Sequence, residues 1–443
     1  MGKFLSFILY AFVMTWAFTP IANAQVWTSV NTWSEGWEDH YAKWVQENWT
    51  ADFFSRERLP NGQANPYFGL RTDCADTVYS MRLIFAYENR LPFAMQDPTT
   101  TSRLITSNMK RWNRTSDEIQ RVRKFLLYIY DLGSTKSLPN DTFPIPVTRD
   151  WVRSGALIRT TQLNHHSWTI KEIQAIGVPH LVFNSTIGSS SGSELQERVS
   201  WPNPYWVFEG NFTPASEAGF RGWRPINYIT RPVWETPNYS EEQFQIPLSK
   251  WQKTVQKKLA LRQEGDDQML RRLATTACEA AKTRIASVKE GVQFLRSLST
   301  TCMTAEDYDT YSTPSRDQRL FDDMVALRRA YKDILKTNNG NSISEDMKNQ
   351  MDKIFPYIQK SARGETDRMP VSRIDEDSYC VITYDVGQRI DFAEAKRRLF
   401  AGLMSNNPLD EMEYRWGARQ GPSPRAQVCP SWDVWKPDLK QAD

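Results

Sequence analysis

Tyr67-Phe68-Gly69-Leu70-Arg71-Thr72-Asp73-Cys74-Ala75-Asp76 opens a stretch, running on to Phe93, around which this chain is organised. Cys74, Val78, Met81 and Phe85 recur at helical spacing, so the segment reads as a helix that begins at the cysteine. A thiol at a helix start has backbone N–H groups and the positive end of the helix dipole beside it, and both favour thiolate over thiol. That is the environment a cysteine nucleophile needs. A buried structural cysteine or half a disulfide occupies such a position more often, so the neighbours have to decide.

Upstream, Ser34 caps a helix whose apolar positions are Trp37, Tyr41, Trp44 and Val45, with His40 off that stripe. Downstream, Ser116 caps a helix carrying Ile119, Val122, Phe125, Leu126 and Ile129 and ending at Gly133. Leu138 to Val147 reads as proline-punctuated loop. From Gly155 the periodicity changes: Ala156 to Ile158, His165 to Ile173 and Val178 to Thr186 read as strands, with Gln174 to Gly177 as the turn between the last two.

In the second of these strands His166, Trp168 and Ile170 share one face, which places His166 on the apolar, core-facing side. If the helix packed there is the one starting at Cys74, thiol and imidazole meet. Asn184 on the third strand is then placed to orient the ring, with His180 as the competing orienter. A register change of one residue would exchange His166 for His165.

Trp201 to Tyr239 is rich in Pro, Gly and aromatics and reads as irregular structure wrapping the first domain. Beyond Ser240 the composition turns to helix formers. A helix from about Asp267 to Leu298 carries Leu270, Leu273, Ala277, Ala281, Ile285, Val288, Val292 and Leu295. Ser315 to Gln318 is a capping-box pattern before a second stripe that ends at Asn338-Asn339-Gly340, and a third helix follows around Ser344 to Lys360. The tail has a strand, Cys380 to Tyr384, then a helix capped by Asp391.

Lys3, the apolar run Phe4 to Phe18 and Ala22-Asn23-Ala24 read as a secretory signal, so the expectation is an exported chain beginning at Gln25, with no later membrane span. The formal charge is only +3, with basic and acidic residues interleaved, which argues against a nucleic-acid partner. Of the five cysteines, four lie in the C-terminal half, so in an oxidising compartment Cys74 is the one left free. Connectivity among Cys278, Cys302, Cys380 and Cys429 stays open. A helix running on to Leu298 would hold Cys278 and Cys302 roughly 30 Å apart, which argues against that pair.

Pro66-Tyr67-x-Gly69, Asp73-Cys74-Ala75 at a helix start, Ser154 to Ile158 at a strand entry, His166 opening a strand, and Phe183-Asn184-Ser185-Thr186 come in an order that resembles the NlpC family of papain-like cysteine peptidases. The resemblance covers about Gln63 to Ile187. It implies Cys74 as nucleophile, His166 as base, Asn184 as the residue that orients it, Tyr67 and Asp73 as oxyanion or substrate candidates, and peptidoglycan stem peptides as substrate. His165 and His180 are the alternative base or orienter. His166-Ser167-Trp168 with Asn184-Ser185-Thr186 is also similar to transglutaminase-like proteins, which share the cysteine helix and histidine strand. Where the NlpC family reads Asp-Cys-Ser-Gly, this chain has Asp76 in place of the glycine, a carboxylate whose charge opposes thiolate formation.

The fold class expected is α+β: a papain-like domain at 25–240, its nucleophile helix packed on an antiparallel sheet, then a helical bundle region at 241–365 and a small α+β segment at 366–443. The function expected is an exported Cys-His-Asn hydrolase of an amide or peptide bond. A transglutaminase-like acyl transferase and a non-catalytic binding module of the cell envelope are the alternatives. No cofactor or metal is expected, since four histidines without ligand spacing, and no phosphate loop, GxSxG or HExxH, leave no rival chemistry. The helices after 240 would position substrate or dock a protein partner.

Overall fold

The structure, a computed structural model, describes residues 25–100, 102–160, 166–184, 192–202, 213–358, 377–432 and 435–438. The signal segment and His165 lie outside the described residues. Ser34 caps α1 (Glu35–Asn48) by accepting the Trp37 N–H. α2 (Cys74–Glu88) is buried on every side from Cys74 through Ala86, the signature of a central helix. Its interior cation, Arg82, forks onto Glu38 at 2.8 and 2.6 Å and lies over the Trp33 ring, so the charge is paired where it is buried.

β1 (Ala94–Gln96) pairs antiparallel with β2 (Leu104–Thr106). α3 (Glu118–Leu132) is capped by Asp117, whose carboxylate accepts the Ile119 and Gln120 N–H groups; the cap is one residue later than Ser116. Leu138 to Val147 is not all loop. It holds a helical turn, α4 (Leu138–Asp141), and β3 (Thr142–Pro144), an edge strand where proline costs no ladder bond.

The main sheet adds β4 (Leu157–Arg159), β5 (Ser167–Ile173), β6 (Pro179–Phe183), β7 (Gln196–Val199) and β8 (Gly219–Trp223). Its order is β3-β8-β4-β5-β6-β7, with every neighbouring pair antiparallel. The stretch read as irregular therefore supplies an interior strand, β8. Gly219 and Gly222 hide its alternation, and Gly222 is required because a Cβ there would stand 2.9 Å from Ile145 Cγ2.

Both faces of this sheet are covered. Leu157 and Val182 join the core of α2 and α3. Ile158, Trp168, Ile170, Leu181, Phe183 and Phe220 face the other way, onto Trp251, Val255 and Leu259 of α5 (Trp251–Leu259). α5 lies past residue 240 yet completes the core of the sheet. The β5–β6 turn rests on it: Gly177 has φ +77°, and a Cβ there would stand 2.2 Å from the Gln256 carbonyl.

α6 (Asp266–Ser297), α7 (Ala305–Tyr311), α8 (Pro314–Asn338), α9 (Glu345–Ile354), the hairpin β9 (Val381–Asp385) and β10 (Gln388–Asp391), α10 (Phe392–Phe400) and the short helices α11 (Met412–Arg415) and α12 (Pro424–Val428) follow. α8 starts at Pro314 rather than behind a Ser315 cap, because proline at the first helical position is already set to φ near −65° and loses no helix bond. It ends at Asn339, φ +56°, as the Asn-Asn-Gly run implies. Arg284 and Asp317 form a buried pair at 2.7 Å between α6 and α8. Cys278 is bonded to Cys380 and Cys302 to Cys429, and Cys74 is free. The chain is thus a mixed α and β protein with an antiparallel sheet and helical regions. Among the described residues no helix is long and apolar enough to cross a membrane.

Candidate functional site

Asp73 defines the start of α2. Its Oδ1 accepts the N–H groups of Ala75 and Asp76, and Asp76 Oδ2 accepts the Asp73 N–H in return, a complete capping box. The first two helical donors after Cys74 are therefore spent on Asp73, which leaves the Cys74 N–H as the helix-start donor available to an oxyanion. Asp73 itself serves as the cap.

The sulfur of Cys74 lies 3.0 Å from Thr135 Oγ1, in the turn after α3. Arg159 of β4 donates Nε to the Thr135 carbonyl at 2.7 Å and Nη1 to the Glu217 carbonyl at 2.9 Å. Ser167 of β5 donates its hydroxyl to the Cys74 carbonyl at 3.0 Å, tying the sheet to the first turn of α2. Asn184, one residue past β6, donates its amide to Thr72 O, to Thr72 Oγ1 at 3.2 Å and to Gly192 O at 3.2 Å. It fixes the backbone that leads into Asp73 and Cys74.

Electrostatically the thiol is held protonated. Burial, then the charge of Asp73, push its pKa up to about 11, against hydrogen bonds from Thr135 and the Ser167 backbone that lower it. Burial and the neighbouring Asp73 raise the Asp76 carboxyl well above the ordinary carboxylate range.

His166 does not meet Cys74. Its ring packs edge-on against Trp168 at 4.4 Å and Phe183 at 6.0 Å, on the α5 side of the sheet. The neighbouring Ser167 is the residue that faces α2. The expectation took the apolar face of the strand for the face of the cysteine helix. With two cores, both faces are apolar and parity alone cannot name the one that α2 covers. Burial, then Arg319 and Arg198, lower the His166 pKa to about 3, so the ring is neutral.

Tyr67 is also displaced from the site. Its ring stacks on Phe53 and its hydroxyl lies toward Glu88, at the opposite end of the 15-residue α2, about 20 Å from Cys74. His180 pairs with Glu197 at 2.8 Å, and Glu197 also takes Lys171 at 3.1 Å; this cluster is about 13 Å along β6 from Asn184. His165 lies outside the described residues.

The structure thus gathers Cys74, Asp73 and Asn184 at one end of α2 and leaves out His166, His180 and Tyr67. Thr135, Arg159 and Ser167 join that end without having been singled out from sequence. Arg159 carried a signal, a cation closing the apolar run Ala156-Leu157-Ile158, while Thr135 sits in an ordinary turn. Among the described residues no group of His, Cys, Asp and Glu side chains is arranged to hold a metal. No family model, curated protein or solved structure matches the chain.

Proposed function

We propose that this chain is an exported cysteine hydrolase of the papain-like class, acting on an amide or peptide bond, with peptidoglycan stem peptides as the substrate class. The observation that carries it is the free thiol of Cys74 at the first position of a helix packed on an antiparallel sheet, with Ser167 bonded to the Cys74 carbonyl and Asn184 to Thr72 just before the cap. The Cys74 thiolate attacks the carbonyl, the Cys74 N–H donates to the oxyanion, the amine departs with a proton from the base, and water resolves the thioester. The base in this reading is His165, the alternative the sequence offers once His166 is turned to the other core. Two disulfides and the Ala-x-Ala motif support export.

The mature protein and a Cys74→Ser control, incubated with purified peptidoglycan, test this by mass spectrometry of the released fragments. New stem-peptide termini with the parent alone establish the hydrolase. Silence from both, with Cys74 slow to alkylate, rejects it.

A second reading, a binding module that keeps the layout without the chemistry, is favoured by one observation: the thiol is raised to about 11 with Asp73 and Asp76 beside it. Incorporation of a labelled amine would instead identify a transglutaminase-like acyl transferase.

A further inference from the structure

The Cys74 sulfur has a hydrogen-bond partner that no strand histidine supplies. Thr135, 6% exposed, presents its hydroxyl oxygen 3.0 Å from Sγ. The turn that carries it is stiffened locally, with Ser134 N–H donating to Ser137 Oγ at 2.8 Å and Ser137 Oγ donating to Ser134 O at 2.9 Å. It is held from the sheet by Arg159, 2% exposed, whose Nε grips the Thr135 carbonyl at 2.7 Å. Arg159 is in turn anchored on Glu217, through the carbonyl at 2.9 Å and the carboxylate at 3.9 Å. Guanidinium, carbonyl, hydroxyl and sulfur form one continuous chain from β4 to the start of α2.

We propose that Thr135 is the positioning residue of the Cys74 thiol, its hydroxyl donating to the thiolate, and that Arg159 locks Thr135 in place to do so. The inference rests on Cys74 being the reacting group of the proposed hydrolase. A neutral thiol can donate its S–H to the hydroxyl oxygen, whereas a thiolate can only accept, so ionisation turns the Thr135 O–H toward the sulfur. A hydrogen bond to an ion is about twice as strong as one between neutral groups, so the contact gains strength in the charged form. The guanidinium behind it opposes the two aspartates at the helix start. The site would then offset its acidic neighbours with a hydroxyl and a buried cation.

The test is the pH profile of Cys74 alkylation by iodoacetamide on the folded mature chain, read by intact mass. Thr135→Val keeps the volume and removes the donor. It should displace the profile upward by about one pH unit, a fall of about tenfold in rate at pH 8. Thr135→Ser should stay within about twofold of the parent, and Arg159→Gln should fall between the two. Circular dichroism confirms that each variant is folded, and Thr135→Ala replaces Thr135→Val if the latter is not. A profile unmoved by loss of the hydroxyl overturns the proposal. Peptidoglycan release measured on the same samples separates the two claims. A displaced profile without hydrolysis by the parent keeps the Thr135 role and removes the hydrolase, and hydrolysis with an unmoved profile does the reverse.

Discussion

Ser167 donates its hydroxyl to the carbonyl of Cys74 at 3.0 Å, bridging 93 residues of sequence. This one bond fixes which face of β5 looks at the cysteine helix and so assigns His166 to the opposite core. It also separates substitutions near the cysteine from substitutions in the opposite core.

Replacing His166 by Ala should leave peptidoglycan hydrolysis within about threefold of the parent while lowering stability by roughly 1–3 kcal/mol, the cost of a cavity and a lost buried polar group. If the proposed hydrolase uses His165 as its base, replacing His165 by Ala should reduce hydrolysis by about a hundredfold or more. Fragment release and urea unfolding on the same preparations check both. Loss of activity in His166→Ala with the fold intact would contradict the assignment of faces.

The neutral His166 predicts a pH dependence of stability. Its folded pKa, lowered to about 3 by burial and then by Arg319 and Arg198, lies below the unfolded value of about 6.5. The unfolded chain therefore binds the extra proton, and the contribution of His166 is complete above about pH 6.5 and is lost as the pH falls toward 3. Urea unfolding of the parent between pH 7 and pH 4 should show a slope that is shallower in His166→Gln by about one proton.

Asp76→Asn should speed alkylation of Cys74, most of all at alkaline pH where the raised Asp76 carboxyl is charged in the parent. The amide oxygen can still accept the Asp73 N–H, so the cap survives. A rate three- to tenfold above the parent at pH 9, measured with iodoacetamide, is the expected result on the order of half to one pK unit. An unchanged rate would mean that the charge of Asp76 does not reach the sulfur.

The disulfide Cys278–Cys380 closes 102 residues of sequence and ties α6 to the start of β9. Its removal in Cys278→Ser with Cys380→Ser should cost about 2–5 kcal/mol in the helical region. Alkylation of Cys74 should be unaffected, because its surroundings are built from α2, the turn after α3 and the main sheet. Denaturant unfolding of the parent and the double variant, with Cys74 alkylation on the same samples, checks both.

Sequence by itself determined the elements whose signals are local. The start of α2 at Cys74, the β5–β6 turn with Gly177, the long α6 and the Asn339 end of α8 all rest on capping, turn chemistry or helical periodicity, which act within a few residues. The odd cysteine count likewise marked Cys74 as the free thiol. Tertiary structure alone decided what depends on partners far apart in the chain. Whether β8 is strand or loop was settled by its place between β3 and β4, since glycines erased its alternation. That His166 lies away from the thiol was settled by the second core that α5 lays on the sheet, because a strand buried on both sides has no apolar face to read. Thr135 meets Cys74 from a turn whose sequence carries no mark of it, and Arg159 holds that turn from β4, a link that only tertiary packing makes.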